Sequence, residues 1–217
     1  MSNTRADFFH RVFTERMWNS DESASGVGST LAAAHELVQG LPGALHQLGV
    51  RSLLDLPCGD FNWMKTVDLT GIDYLGGDIV VDVVEQNQRL HAREGVRFQV
   101  LDVVQDDLPP ADLIFVRDCF IHFTLDLIQA ALSNIRRADI KYLCMTNDSC
   151  RERYAGANFA NIELDRAVDG VNFEYRPLNF QLPPFNFPPP VLTLSDGGAW
   201  DGFKSMAIWD IESLPTL

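Results

Sequence analysis

Residues Ser52 to Met64 read Ser-Leu-Leu-Asp-Leu-Pro-Cys-Gly-Asp-Phe-Asn-Trp-Met. A short apolar run, Leu53–Leu56, brings an acid, Asp55, to the end of a predicted strand. A tight turn around Pro57 and Gly59 follows, and then a predicted short helix over 61–67. A buried strand that delivers a carboxylate beside a close-approach glycine suits a nucleoside-bearing cofactor, because ligands of open α/β sheets sit beyond the carboxyl ends of the strands.

Downstream of this stretch the chain alternates. Strands are predicted over 74–77, 96–101, 112–116 and 141–146, and helices over 81–93 and 125–137. Such alternation implies a mostly parallel sheet with right-handed crossovers. A last strand is read over 203–211. Between them lies a tract rich in Pro and Phe, 173–190, which is expected to be an extended loop or edge because proline donates no ladder hydrogen bond. Upstream, residues 1–20 place Phe8, Phe9, Val12, Phe13 and Met17 at helical spacing. A small-residue loop, Ser23–Thr30, precedes a second helix that runs to about Leu48. Ser29 or Thr30 is its expected cap, and Pro42-Gly43 a candidate break.

A chain of 217 residues suits one domain with its own core. Its expected parts are an N-terminal helix and lid over 1–30, a cofactor-binding core over 50–150 and an acceptor-side insertion over 151–200. The net charge of −13 argues against a nucleic-acid backbone as partner, although Arg117, Arg151, Arg153 and Arg176 remain available for a local basic pocket. No apolar run is long enough for a membrane span, and the N-terminus lacks a signal-peptide core, so a cytoplasmic address is expected. Cys58, Cys119, Cys144 and Cys150 show no CxxC spacing, which fits reduced thiols better than zinc or disulfides. Oligomeric state is not legible.

Each of the five strands ends on or beside an acid: Asp55, Asp78, Asp102, Asp118 after Arg117, and Asp148 after Thr146-Asn147. One such acid is commonly a turn or cap residue; five in succession form a pattern. Asp78 follows Gly59 by about the 20 residues that separate a glycine turn from a ribose-binding acid.

This pattern resembles the class I S-adenosylmethionine-dependent methyltransferases, most closely over 53–146. The resemblance implies a Rossmann-like, mostly parallel seven-stranded sheet flanked by helices, with the last strand antiparallel. It implies S-adenosylmethionine as cofactor and a small-molecule acceptor. Asp55 and Gly59 match the first motif, near the methionine part of the cofactor, with Pro57 in the same turn. Asp78 with Ile79 matches the ribose site, Asp102 with Val103 the adenine site, and Arg117 and Asp118 the strand end flanking the reactive methyl. Pro57 and Phe61 stand where the usual motif has glycines. The segments Ser25–Leu31, Pro57–Met64 and Arg117–Cys119 look similar to a bacterial group found among sugar and polysaccharide genes. The expected acceptor is a hydroxyl of a sugar-like or other small metabolite, with a carboxylate or small amine as the alternatives.

For a hydroxyl acceptor a proton must leave, and imidazole titrates near neutral pH. His122 is the candidate base, with Asp118 orienting it or serving itself; a structural histidine or a metal pair with Asp118 are the other readings. Trp18 and Ser29 are expected in a lid, the 25–30 loop being either a helix entry or part of the site. Arg176 and Phe185 are expected at the acceptor, with Phe180, Phe187, Asn179 and Trp200 beside them; packing of this tract over the sheet edge is the other reading. Two further functions stay open: a non-catalytic binding module, and a nicotinamide-dependent oxidoreductase, whose Gly-x-Gly-x-x-Gly fingerprint the chain lacks.

Overall fold

The apolar runs assemble into one seven-stranded sheet of order β3-β2-β1-β4-β5-β7-β6. The computed structural model describes residues 4–148, 161–164, 167–196 and 204–215. The strands are β1 Ser52–Asp55, β2 Asp73–Asp78, β3 Val96–Val100, β4 Ala111–Val116, β5 Ile140–Asp148, β6 Leu192–Ser195 and β7 Lys204–Asp210. The first five are mutually parallel, and β7 runs antiparallel to both β5 and β6. The helices are α1 Thr4–Thr14, α2 His35–Leu48, α3 Val81–His91 and α4 Leu125–Arg137. None of them is long and apolar enough to cross a membrane.

Alternation along the strands sorts the core into two layers. Leu54, Ile114, Val116, Leu143 and Met145 meet Ile128, Leu132 and Ile135 of α4 on one face. Leu53, Leu113, Phe115 and Cys144 meet Leu37, Leu41 and Leu45 of α2 on the other. With both faces covered, β1 and β4 read as nearly continuous apolar runs, as buried parallel strands do.

Four local expectations change. The 61–67 helix is only a 3-10 turn over Met64–Thr66. Phe61 sits at φ 58°, a left-handed conformation that a right-handed helix does not admit, while its ring is buried against Tyr74, His91 and Phe98. Pro42 does not break α2, since Leu41, Ala44 and Leu45 on either side of it are all buried. Neither Ser29 nor Thr30 caps α2, which starts at His35; the Thr30 hydroxyl instead accepts the Ala33 N–H at 3.2 Å in the preceding turn. Finally, the Pro/Phe tract packs inward. Phe180, Phe185 and Phe187 form an aromatic cluster that ends on Trp209 of β7, and the chain then adds the short edge strand β6.

A side chain at Gly76 would violate the β2–β3 packing. A Cβ there would lie 2.7 Å from the Phe98 ring and 3.2 Å from Cys58 Cβ. Gly76→Ala is expected to lower the unfolding free energy in urea by about 1–3 kcal/mol through overpacking.

Candidate functional site

The strand ends open into one cavity of about 510 Å³, within the range of small-molecule sites. Asp102, Asp78, Asp55 and Asp118 follow β3, β2, β1 and β4, which are neighbours in that order, so the sheet lays the acids out as a row.

The β1 turn is shaped by close approach. Gly59 has φ 53°, and a Cβ on it would lie 2.3 Å from Ser25 Oγ. That hydroxyl accepts the Asp60 N–H at 2.9 Å, and the Asp60 carboxylate accepts the Ala24 N–H at 2.7 Å and the Ser23 hydroxyl at 2.9 Å. Asn62 Nδ2 donates to the Ser29 carbonyl at 3.1 Å. The 23–29 loop is thereby docked onto the turn, and Ser25, Gly26 and Ser29 line the cavity. Asn87 of α3 donates to the Gly59 carbonyl at 2.7 Å, and the Gly59 N–H donates to Asp78 Oδ2 at 3.1 Å.

Asp55 and Asp78 are buried acids with no side-chain cation bonded to them among the described residues. Asp55 accepts from the Tyr74 hydroxyl at 2.6 Å, and Asp78 accepts the Gly59 and Val80 N–H groups. Burial pushes the Asp55 carboxyl up to about 7, against the pull of the Tyr74 hydroxyl. Burial likewise raises Asp78 to about 6, with its backbone donors opposing. Asp102 is paired: Arg5 of α1 reaches it at 2.5 Å, and the Val104 N–H donates to its other oxygen at 2.9 Å. The Val103 carbonyl accepts from Asn134 Nδ2 at 3.0 Å. Pro57, Ile79 and Val103 line the cavity among these acids.

At the β4 end the charges neutralise one another. Arg117 forms a two-pronged pair with Asp196 at 2.9 and 2.8 Å and donates to the Gly28 carbonyl at 2.8 Å. Lys204 Nζ lies 2.6 Å from Asp118 and 3.1 Å from Asp196. Asp118 adopts φ 53°, accepts from the Thr146 hydroxyl at 3.1 Å, and donates its N–H to the same oxygen at 2.8 Å. Burial alone would raise the Asp118 pKa, but the adjacent Lys204 and Arg117 charges hold it well below the ordinary range.

His122 ends a 3-10 turn over Phe120–His122 and faces the cavity. Its Nδ1 lies 3.2 Å from the Glu174 carbonyl, and Trp18 stacks on its ring at 5.5 Å. Burial pushes its pKa down to about 4, with the Asp118 charge opposing, so the imidazole is neutral at pH 7. Asp118 influences it through space; its own hydrogen bonds go to Thr146 and Lys204. Trp18 also donates to the Phe173 carbonyl at 3.2 Å.

Twelve of the fourteen residues singled out from the sequence line the cavity: Trp18, Ser29, Asp55, Pro57, Gly59, Asp78, Ile79, Asp102, Val103, Arg117, Asp118 and His122. Arg176 and Phe185 do not. Arg176 donates to the carbonyls of Ile162 and Phe123, and Phe185 is fully buried beside Phe180. Arg151, Arg153, Cys150 and Trp200 lie outside the described residues. Among the described residues no cluster of His, Cys, Asp and Glu is arranged to hold a metal ion.

Arg5, Asp196 and Lys204 were not anticipated. Lys204 pairs in register with Asp148 because β7 runs backwards, so the beginning of β7 reaches the same edge as the carboxyl ends of the parallel strands. Asp196 follows β6, whose existence the proline tract concealed. An acid-or-base census that included the start of an antiparallel last strand would have found Lys204.

No protein-family model and no curated protein matches the chain. Solved structures do. The methyltransferase domain of bacterial CtHen1 is 12% identical at TM-score 0.58, over 82% of this chain and 99% of that one. Magnesium protoporphyrin IX methyltransferase from Synechocystis, solved with bound SAH, is 17% identical at TM-score 0.51, over 67% of this chain and 71% of that one. Human N-acetylserotonin methyltransferase, in complex with SAM, is 20% identical at TM-score 0.46, over 56% of this chain and only 36% of its own length. The first two likenesses show a shared fold, the Rossmann-like fold of class I methyltransferases.

The raised Asp55 pKa has a measurable sign. The folded state holds that proton more tightly than the unfolded chain, so this group favours folding fully below about pH 4 and the benefit is lost as pH rises to about 7. Asp55→Asn removes the term and keeps an acceptor for Tyr74. Its unfolding free energy relative to wild type is expected to rise between pH 4 and 8 by on the order of 1–4 kcal/mol, read from urea titrations at both ends.

Proposed function

We propose that the chain transfers a methyl group from S-adenosylmethionine to a hydroxyl of a small-molecule acceptor. The observation that carries this reading is the pair of desolvated, cation-free carboxylates, Asp55 and Asp78, in the middle of the acid row. Buried carboxylates in that state favour a ligand that brings positive charge and hydroxyl donors. The cofactor fits on both counts, being a sulfonium with an ammonium group and a ribose diol. The glycine cradle at Gly59, which a Cβ would fill, leaves room beside them. A dinucleotide fits less well, because its pyrophosphate would be set against the same buried acids.

The cofactor supplies an electrophilic methyl with its leaving group already in place. The protein's residues bind, align and accept a proton. Asp78 accepts from the ribose hydroxyls, and Asp102 with Val103 borders the base. Asp55 sets negative potential beneath the cationic portion. The row then ends at Asp118 and His122, which flank the acceptor. His122 is neutral at pH 7, and with Nδ1–H donated to the Glu174 carbonyl its Nε2 lone pair is the one left for the acceptor proton. Asp118, held ionised by Lys204, favours the imidazolium that results. That SAH is bound in a structure of the same fold supports the cofactor assignment.

S-Adenosylhomocysteine is expected to raise the melting temperature, and NAD to leave it unchanged; no shift with the former would refute the reading. Asp78→Ala is expected to weaken that binding by roughly 1.5–3 kcal/mol, measured by calorimetry. His122→Ala should retain the binding and lose roughly 100-fold in turnover on any acceptor found in a panel of phenols, sugars, acids and amines. Equal turnover in that variant would return His122 to a packing role, and binding without transfer in the wild type would favour a non-catalytic module.

A further inference from the structure

Resting on that reading, we infer that the acceptor is a neutral, largely apolar aromatic hydroxyl compound, in preference to a sugar, a carboxylate or a cation. Two independent features of the acceptor end support this. The first is charge balance. Among the described residues, the charged side chains joined there, Arg117, Asp118, Asp196 and Lys204, are two cations and two anions with contacts of 2.6 to 3.1 Å. Among the described residues of this cluster a charged acceptor would meet no uncompensated partner, and desolvating it without one is costly. A sugar needs several donors and acceptors, and this end has committed its polar groups to one another: Arg117 to Asp196 and the Gly28 carbonyl, Lys204 to both acids, Thr146 to Asp118.

The second feature is the wall. Trp18 stacks on His122, Phe9 meets the same imidazole edge-on with centroids 6.4 Å apart, and Phe173 is tied to Trp18 through its carbonyl. Phe9, Trp18, Phe123, Phe173 and Tyr175 all line the cavity around His122. Phe173 and Tyr175 are 39% and 49% exposed, so apolar surface extends to the rim. An aromatic ring set against this cluster gains offset or edge contacts beyond simple burial. Its hydroxyl can then address His122 and the cavity-facing side of Asp118. Because a nucleoside-sized cofactor shares the cavity of about 510 Å³, the acceptor is on the scale of about one or two rings.

The test is calorimetric binding to the full chain saturated with S-adenosylhomocysteine, using 2-naphthol, methyl glucoside, benzoate and benzylammonium as probes. The expected result is naphthol binding at least tenfold tighter than the other three, with at least a tenfold loss in Trp18→Ala. In Lys204→Met, which leaves the acids in excess, benzylammonium is expected to gain at least tenfold relative to naphthol. S-Adenosylhomocysteine binding to each variant reports that it is folded. Methyl glucoside, benzoate or benzylammonium binding the wild type as tightly as naphthol would overturn the inference, as would no naphthol binding or an unchanged preference in the folded variants. Failure of S-adenosylhomocysteine itself to bind the wild type would strike the cofactor reading instead, and it is measured first.

Discussion

Arg117 and Asp196 join two parts of the sheet that the chain separates by 79 residues. The pair spans from the end of β4 to the end of β6, across the places of β5 and β7. Through the Gly28 carbonyl it also reaches the N-terminal loop, and through Lys204 it reaches Asp118. Removing either Arg117 or Asp196 would leave the buried cluster with an uncompensated charge, a loss typically far larger than the net worth of the pair. The geometry of the β4 end of the cavity therefore depends on this network, including the left-handed backbone at Asp118, which few non-glycine residues adopt.

The cavity divides by charge. At the β1–β2 side, Asp55 and Asp78 are desolvated with no bonded side-chain cation among the described residues, and burial raises the pKa of both. At the β4–β7 side, charge is cancelled internally and the walls are aromatic. α1 bridges both halves, with Arg5 on Asp102 at one end and Phe9 beside His122 one turn later. The two ends of one continuous cavity thus differ in kind, with uncompensated acids at one and cancelled charge beside aromatic walls at the other.

Much of this is legible in the sequence. Strands that alternate with helices, and acids that end those strands, carry their information in local sequence, because β1 to β5 are parallel and each presents the same end to the same edge. Helix α4 matches its predicted range, 125–137, since its apolar spacing is local. The failures are equally physical. Phe61 was read as helical from its neighbours, but its ring is claimed by Tyr74, His91 and Phe98. Arg176 and Phe185 looked like site residues by type, yet one binds backbone carbonyls and the other fills the core under Trp209.

The fold class, the row of acids and the nature of the turn at Gly59 follow from local sequence, because periodicity and turn chemistry are properties of a few neighbouring residues. Which charges stay uncompensated is set by three-dimensional packing. Whether Asp55 is desolvated, or Asp118 neutralised by Lys204, depends on burial and on partners 86 residues away, and local sequence carries no signal for either.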